Sequence, residues 1–183
     1  MTFRFLGISA TFTVDDGIFS KNKPDEGSLL LVNEVLKLEP EGKLLDLGSG
    51  YGLMTLLLKQ HASQVDVTGI EINPRAHECA LESAQSMKLE AIFENADVLS
   101  DVTGSYDWII TNPPIRAGKA VVYGFFQIAA RHLTTEGRLI TVIRRQQGAA
   151  SAMEELKRHF KDVNRLNLKK GYEVLEAKYP LTS

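Results

Sequence analysis

Leu44-Leu45-Asp46-Leu47-Gly48-Ser49-Gly50-Tyr51-Gly52, "LLDLGSGYG", decides how the rest of this chain is read. "KLLDLG", residues 43–48, reads as a short buried strand, and Leu53 to His61 has helical spacing. Between them Gly48, Gly50 and Gly52 make a turn. In open α/β sheets a ligand binds beyond the carboxyl ends of the strands, where such a first strand-to-helix turn lies. Glycine there lets the backbone approach a ligand and adopt positive φ. A dinucleotide-binding turn is spaced G-x-G-x-x-G, with a pyrophosphate on the helix N-terminus. Here the spacing is G-x-G-x-G, Asp46 precedes it, and no cation sits in the turn to favour a phosphate. Asp46 suits an ammonium group instead.

Downstream, strand and helix patterns alternate. "VDVTGIE" (65–71) is a strand, and Asn73-Pro74 opens a helix with Ala76, Ala80, Ala84 and Met87 on one face. "EAIFENAD" (90–97) and "YDWIITN" (106–112) are strands, and Val121 to Leu133 is helical. "GRLITVI" (137–143) is a strand after Glu136-Gly137, and Met153, Leu156 and Phe160 mark a further helix. "DVNRLNL" and "GYEVLEAKY" close the chain as a hairpin about Lys169-Lys170-Gly171. Upstream, Phe3, Phe5, Ala10, Phe12 and Val14 lie at period two around Gly7-Ile8-Ser9, a second hairpin. "GIFSKNKPDEGS" is a polar loop containing Pro24, and Glu26 to Leu38 is helical. Strands separated by helices imply a parallel sheet covered on both faces. The expected fold is therefore α/β and doubly wound, with one antiparallel strand from the terminal hairpin. A single domain spans 1–183: an N-terminal β-hairpin, loop and helix over 1–40, then a cofactor-binding core over 41–183.

The 183 residues, 44% hydrophobic, suffice for one continuous core. A net charge of −2 neither demands nor forbids a nucleic-acid partner. Cys79 is the sole cysteine, which excludes an internal disulfide. His61, His77, His132 and His159 lack metal-ligand spacing, so no metal is expected. No apolar run approaches the ~18 residues of a membrane span, nor a signal peptide, so a cytoplasmic setting is expected.

Acids recur at the strand ends. Glu71 ends the second core strand, where an acid accepts from ribose hydroxyls. Asp97 ends the third and could accept from an exocyclic adenine amine. Together with Asp46 they fit a nucleoside carrying an amino acid, S-adenosyl-L-methionine. At the fourth strand end stands "TNPPIRAGK", residues 111–119. The residue before a proline is held extended, and proline fixes φ near ~−65°. Asn112, Pro113 and Pro114 thus form a stiff bracket that presents the Asn112 side-chain carbonyl and the Pro113 peptide carbonyl. Methyl transfer to nitrogen is an in-line displacement at a sulfonium, and alignment supplies up to ~7–11 kcal/mol. Two acceptors holding the N–H bonds of a delocalised amine turn its lone pair toward the methyl, and no tuned general base is required.

"LLDLGSGYG", "TNPPIRAGK" and "DDGIFSKNKPDEGSLLL" (15–31) resemble the methyltransferase-small family of class I S-adenosylmethionine-dependent enzymes, which includes small-subunit ribosomal RNA guanine-N2 methyltransferases. "RRQQGAASAMEELKRHF" and "KKGYEVLEAKY" resemble that family's ending, so the likeness spans nearly the whole chain. The resemblance implies a seven-strand sheet, a cofactor pocket of Asp46, Gly48, Gly50, Glu71 and Asp97, and Asn112 with Pro113 at the transfer point. The adjoining Ser49, Gly52, Ile72 and Val98, and Asn112 itself, are placed with the cofactor. Amine methyltransferases of this type carry Tyr or Phe after the two prolines; here Ile115 stands, which makes Phe19 the candidate stacking face. A splayed-out RNA base needs cations along its backbone. Lys21 and Lys23 beside Phe19, Arg116 and Lys119 after the prolines, and Arg145, next to Arg144, are the candidates. The expected activity is N-methylation of guanine N2 in small-subunit ribosomal RNA. A protein glutamine amide and a DNA adenine are alternative targets, and a cofactor-binding module without turnover is the alternative of another class.

Overall fold

The computed structural model describes residues 1–15 and 23–181. The chain opens with the hairpin β1 (Thr2–Phe5) and β2 (Ile8–Thr11), turning at Leu6-Gly7. Helix α1 (Glu26–Lys37) follows, with Asp25 as N-cap accepting from the Ser28 N–H. Then come β3 (Gly42–Leu47), α2 (Leu53–His61), β4 (Val65–Glu71), α3 (Pro74–Met87), β5 (Ile92–Asn95), the one-turn α4 (Val98–Asp101), β6 (Tyr106–Thr111) and α5 (Lys119–His132). β7 (Leu133–Arg144), α6 (Ala149–Lys157), β8 (Phe160–Lys169) and β9 (Tyr172–Pro180) complete it. Asn73 caps α3 as expected, its Oδ1 accepting from Arg75 and Ala76 N–H groups.

The large sheet has seven strands in the order β5-β4-β3-β6-β7-β9-β8, and β1 with β2 forms a separate two-stranded sheet. β9 runs antiparallel to both of its neighbours, and the remaining pairs are parallel. The doubly wound, mainly parallel architecture is thus the one expected. Alternate strand residues feed two cores. Leu44, Trp108, Ile110 and Val142 meet α1, α2, α3 and the N-terminal hairpin, with Phe5 and Phe12 buried among them. Leu45, Leu47, Ile109 and Leu139 meet α4, α5 and α6 on the opposite face.

Among the boundaries that differ from the sequence reading, two have a clear physical reason. β7 begins at Leu133 directly after α5, and the stretch before Gly137 is absorbed as an irregularity in its pairing with β6. Phe160 starts β8 rather than extending α6. Its spacing from Leu156 mimics a helical face because both side chains bury into the same core, although the chain turns between them.

The sheet order reverses beside β3: β4 and β5 extend to one side and β6, β7 to the other. Such a switch point leaves a crevice at the strands' carboxyl ends. Gly69 of β4 lies beneath the turn that borders it, where an added Cβ would sit 2.8 Å from Ser49 Cβ and 2.9 Å from Phe93 Cδ1. Gly69→Ala is therefore expected to lower stability by about 1–3 kcal/mol. Urea unfolding followed by circular dichroism measures this; an unchanged midpoint would mean that the turn is free to lift off β4.

Candidate active site

Strands β3, β6 and β7 are locked to one another before any ligand is considered. Buried Thr111 Oγ1 donates to the Leu47 carbonyl at 2.8 Å, joining β6 to β3. Buried Thr141 Oγ1 donates to the Thr111 carbonyl at 2.9 Å, joining β7 to β6. The glycine turn is tied next to them. Gly48 and Ser49 N–H groups both donate to the Ile70 carbonyl, at 2.9 and 3.0 Å. Gly48, Gly50 and Gly52 have φ of 73°, 59° and 90°, the left-handed region in which glycine costs least.

Glu71 holds this turn from the side. Its Oε1 accepts from Gly50 N–H at 2.8 Å and its Oε2 from Asn73 N–H at 2.9 Å. Each carboxylate oxygen keeps a further lone pair for a ligand hydroxyl. Asp97 caps α4, accepting from Leu99 N–H at 3.0 Å, with Val98 buried behind it. Ile72, beside Glu71, leaves its apolar side chain 63% exposed.

Asp46 is fully buried beneath the turn rather than in the cleft wall. Thr55, in the first turn of α2, donates to Asp46 Oδ2 at 2.7 Å, while Oδ1 has no partner among the described residues. Burial pushes the carboxyl up to about 7; the Thr55 hydroxyl opposes that shift, and the Glu71 charge adds to it. The neighbouring Ser49 Oγ is likewise buried without a partner among the described residues.

A cleft of about 680 Å³ opens at this edge. Gly48, Ser49, Gly50 and Tyr51 form one wall, and Asn112 stands in the same cleft. Lys23, Asp25, Glu26 and Ser28 at the start of α1, with Arg144 and Tyr172, supply further lining. Asn112 Nδ2 donates to Asp25 Oδ2 at 3.0 Å and to Ser28 Oγ at 2.9 Å. The Arg144 guanidinium lies over the Tyr172 ring at 4.8 Å and donates to its hydroxyl at 3.0 Å. The Tyr51 hydroxyl is pushed up to about 12 by burial and by the Asp25 charge.

The structure thus brings Gly48, Ser49, Gly50, Asn112 and Lys23 together. Gly52 and Glu71 support the turn, Pro113 is buried behind Asn112, and Pro114 is exposed. Arg116 and Arg145 are exposed and do not line the cleft, and Lys119 borders a separate cavity of about 40 Å³. Phe19 and Lys21 lie outside the described residues. Asp25, Ser28, Tyr51 and Tyr172 join the cleft although the motifs did not single them out; an N-cap at Asp25 was the local signal available. Among the described residues, no cluster of His, Cys, Asp and Glu could hold a metal, and no helix is long and apolar enough to cross a membrane.

The sequence pattern of the methyltransferase small domain matches residues 9–176. YbxB, an uncharacterized protein of Bacillus subtilis (strain 168), is 39% identical over 97% of this chain and 90% of its own length. The ribosomal RNA small subunit methyltransferase C of Photobacterium profundum is 34% identical over 74% of this chain, which spans only 41% of that protein. The solved T. thermophilus 16S rRNA N2 methyltransferase RsmC, in complex with AdoMet and guanosine, superposes with a TM-score of 0.87 at 29% identity. That match covers 97% of this chain and 49% of the other.

Between the ordinary carboxylate value and about 7, the folded chain holds a proton on Asp46 that the unfolded chain releases. Asp46 therefore withdraws stability progressively as pH rises through that window and fully above it. Thermal unfolding of Asp46→Asn against wild type, from about pH 4 to about pH 8, is expected to shift in favour of the variant as pH rises. A constant difference between the two midpoints would contradict the burial of an ionisable group there.

Proposed function

This chain belongs to the methyltransferase small domain family, and on that premise we propose that it uses S-adenosyl-L-methionine to methylate the exocyclic N2 amine of a guanine in small-subunit ribosomal RNA. The observation that carries the reading is the shared cleft of the Gly48–Gly50 turn and Asn112. One wall suits a nucleoside-linked amino acid, and the other presents an amide to a second molecule.

The residues fit that cofactor. Glu71 Oε1 and Oε2 each accept one backbone N–H and keep a lone pair for a ribose hydroxyl, whereas Asp46 Oδ1 and Ser49 Oγ are buried beneath the turn without partners among the described residues. The turn's amides are already engaged by Ile70 and Glu71, which leaves little for a pyrophosphate. Glu71 would hold ribose hydroxyls, Asp97 the adenine end, and the Asp46 side the amino-acid end. When bound, S-adenosyl-L-methionine would supply a methyl group on a positively charged sulfur, which departs as a neutral thioether when the sulfur–methyl bond breaks.

The chain's own residues then have to orient the acceptor. Asn112 Oδ1 and the Pro113 carbonyl accept the two N–H bonds of the target amine and hold its lone pair in line. The nitrogen becomes cationic as the new bond forms and afterwards releases a proton to water, so the acceptors need not be basic. Guanine is favoured over other amines by Arg144, whose donors match its O6 and N7 acceptors, and by Tyr172, which gives that guanidinium a flat support. RNA as the partner places the reaction in the cytoplasm.

Transfer of tritiated methyl groups into separated RNA, DNA and protein of a cell extract tests the reading, with label expected in small-subunit RNA as N2-methylguanine. Label confined to DNA or protein would replace the target, and cofactor binding without label would point to a module without turnover. Asn112→Ala is expected to reduce turnover at least ~100-fold with cofactor affinity nearly unchanged. Glu71→Ala should instead weaken cofactor binding about 10-fold or more, measured by calorimetry. Intact turnover in Asn112→Ala would end the role given to that amide.

A further inference from the structure

We propose that Asp25 and Ser28, at the start of α1, are positioning residues that set which atom of Asn112 faces the target amine. The inference rests on the functional reading above and concerns how the acceptor is aimed.

A carboxamide can sit in either of two orientations, and its oxygen and nitrogen have nearly the same size. Only the hydrogen-bonding partners distinguish them. Asp25 is an acceptor, and its Oδ2 already takes the Ser28 N–H at 2.8 Å. The same oxygen takes one Asn112 Nδ2 hydrogen at 3.0 Å, and Ser28 Oγ takes the other at 2.9 Å. Both donors of the amide are therefore spent on α1. The reversed orientation would push Oδ1 against the Asp25 carboxylate, a repulsion that a hydrogen bond donated by the Ser28 hydroxyl would only partly offset. The amide is left with its oxygen turned away from α1, and among the described residues nothing donates to that oxygen. Donation to a carboxylate also polarises the amide and enriches the electron density on Oδ1. A good cap for α1 needs only the bond from Asp25 to the Ser28 N–H; the two contacts to Asn112 are additional to it.

The helix start is itself held in place. An added Cβ on Gly27 would lie 2.8 Å from the Tyr172 ring, so only glycine lets α1 approach β9 this closely. Lys170 Nζ bonds Glu26 at 3.2 Å and Asn167 Nδ2 bonds Glu34 at 3.1 Å, pinning the same helix to the β8–β9 hairpin. Asp25 thereby keeps a defined distance from the end of β6.

Ser28→Ala removes one amide partner and leaves the cap, whose donor is a backbone N–H. Asp25→Asn keeps a residue suited to capping but removes the charge that forbids the reversed amide. Each is expected to lower kcat about 10-fold with little change in KM for S-adenosyl-L-methionine. In an Asn112→Ala background, Ser28→Ala is expected to cause no further loss, because it acts only through that amide. A second readout needs no turnover: the Asn112 side-chain amide protons, followed by nitrogen-15 NMR, exchange slowly in wild type and faster in Ser28→Ala. Ser28→Ala losses that multiply with those of Asn112→Ala, or amide exchange equal in the two proteins, would overturn the proposal. A wild type that labels no substrate overturns the functional reading and this role with it, whereas multiplying losses on an active wild type overturn the clamp alone.

Discussion

Thr111, buried at the end of β6, donates through its hydroxyl to Leu47 and accepts at its carbonyl from Thr141. These two bonds span three adjacent parallel strands at the edge where the cleft opens. A parallel ladder aligns the strands, but its last residues leave their carbonyls without ladder partners. The threonine side chains donate to the last carbonyls of β3 and β6 and so tie these strands to their neighbours. The glycine turn leaves β3 one residue beyond Leu47, and Asn112 leaves β6 one residue beyond Thr111. The spacing between the two walls of the cleft thus depends on an interaction that neither wall makes itself.

The electrostatics of the edge follow the same economy. Asp46, Glu71 and Asp25 are all acidic, and each is held by backbone or side-chain donors from a neighbouring element. Asp46 lies beside the first turn of α2, whose amide dipoles favour a negative charge, yet burial still raises its carboxyl to about 7. An acid so placed withdraws stability from the fold as pH rises toward about 7. A cationic group placed above the turn would favour its ionised form.

Much of the architecture was legible from periodicity and punctuation. Leu53–His61 and Val65–Glu71 fall where the pattern placed them, because each is a run whose spacing matches one backbone period and whose ends carry a glycine or an Asn-Pro cap. The errors came where two periods agree by accident. Phe160 sits at helical distance from Leu156 but is reached by a turn, and Glu136-Gly137, with the sequence character of a loop, is carried inside β7 as an irregularity. Local signals report which face is buried, not by which path the chain reaches it.

The sequence by itself determined the alternation of strands and helices, the glycine turn after β3 and the stiff Asn112-Pro113-Pro114 bracket after β6. Those features reside in neighbouring residues, where φ restrictions and side-chain spacing act without help from the rest of the chain. The tertiary structure alone decided that Arg144 and Lys23 reach the cleft while Arg116, Lys119 and Arg145 do not. It alone joined Asn112 to Asp25 and Ser28, which are 87 and 84 residues away along the chain. Contacts of that range are set by strand order and by how closely α1 can approach β9, neither of which leaves a periodic trace in either segment.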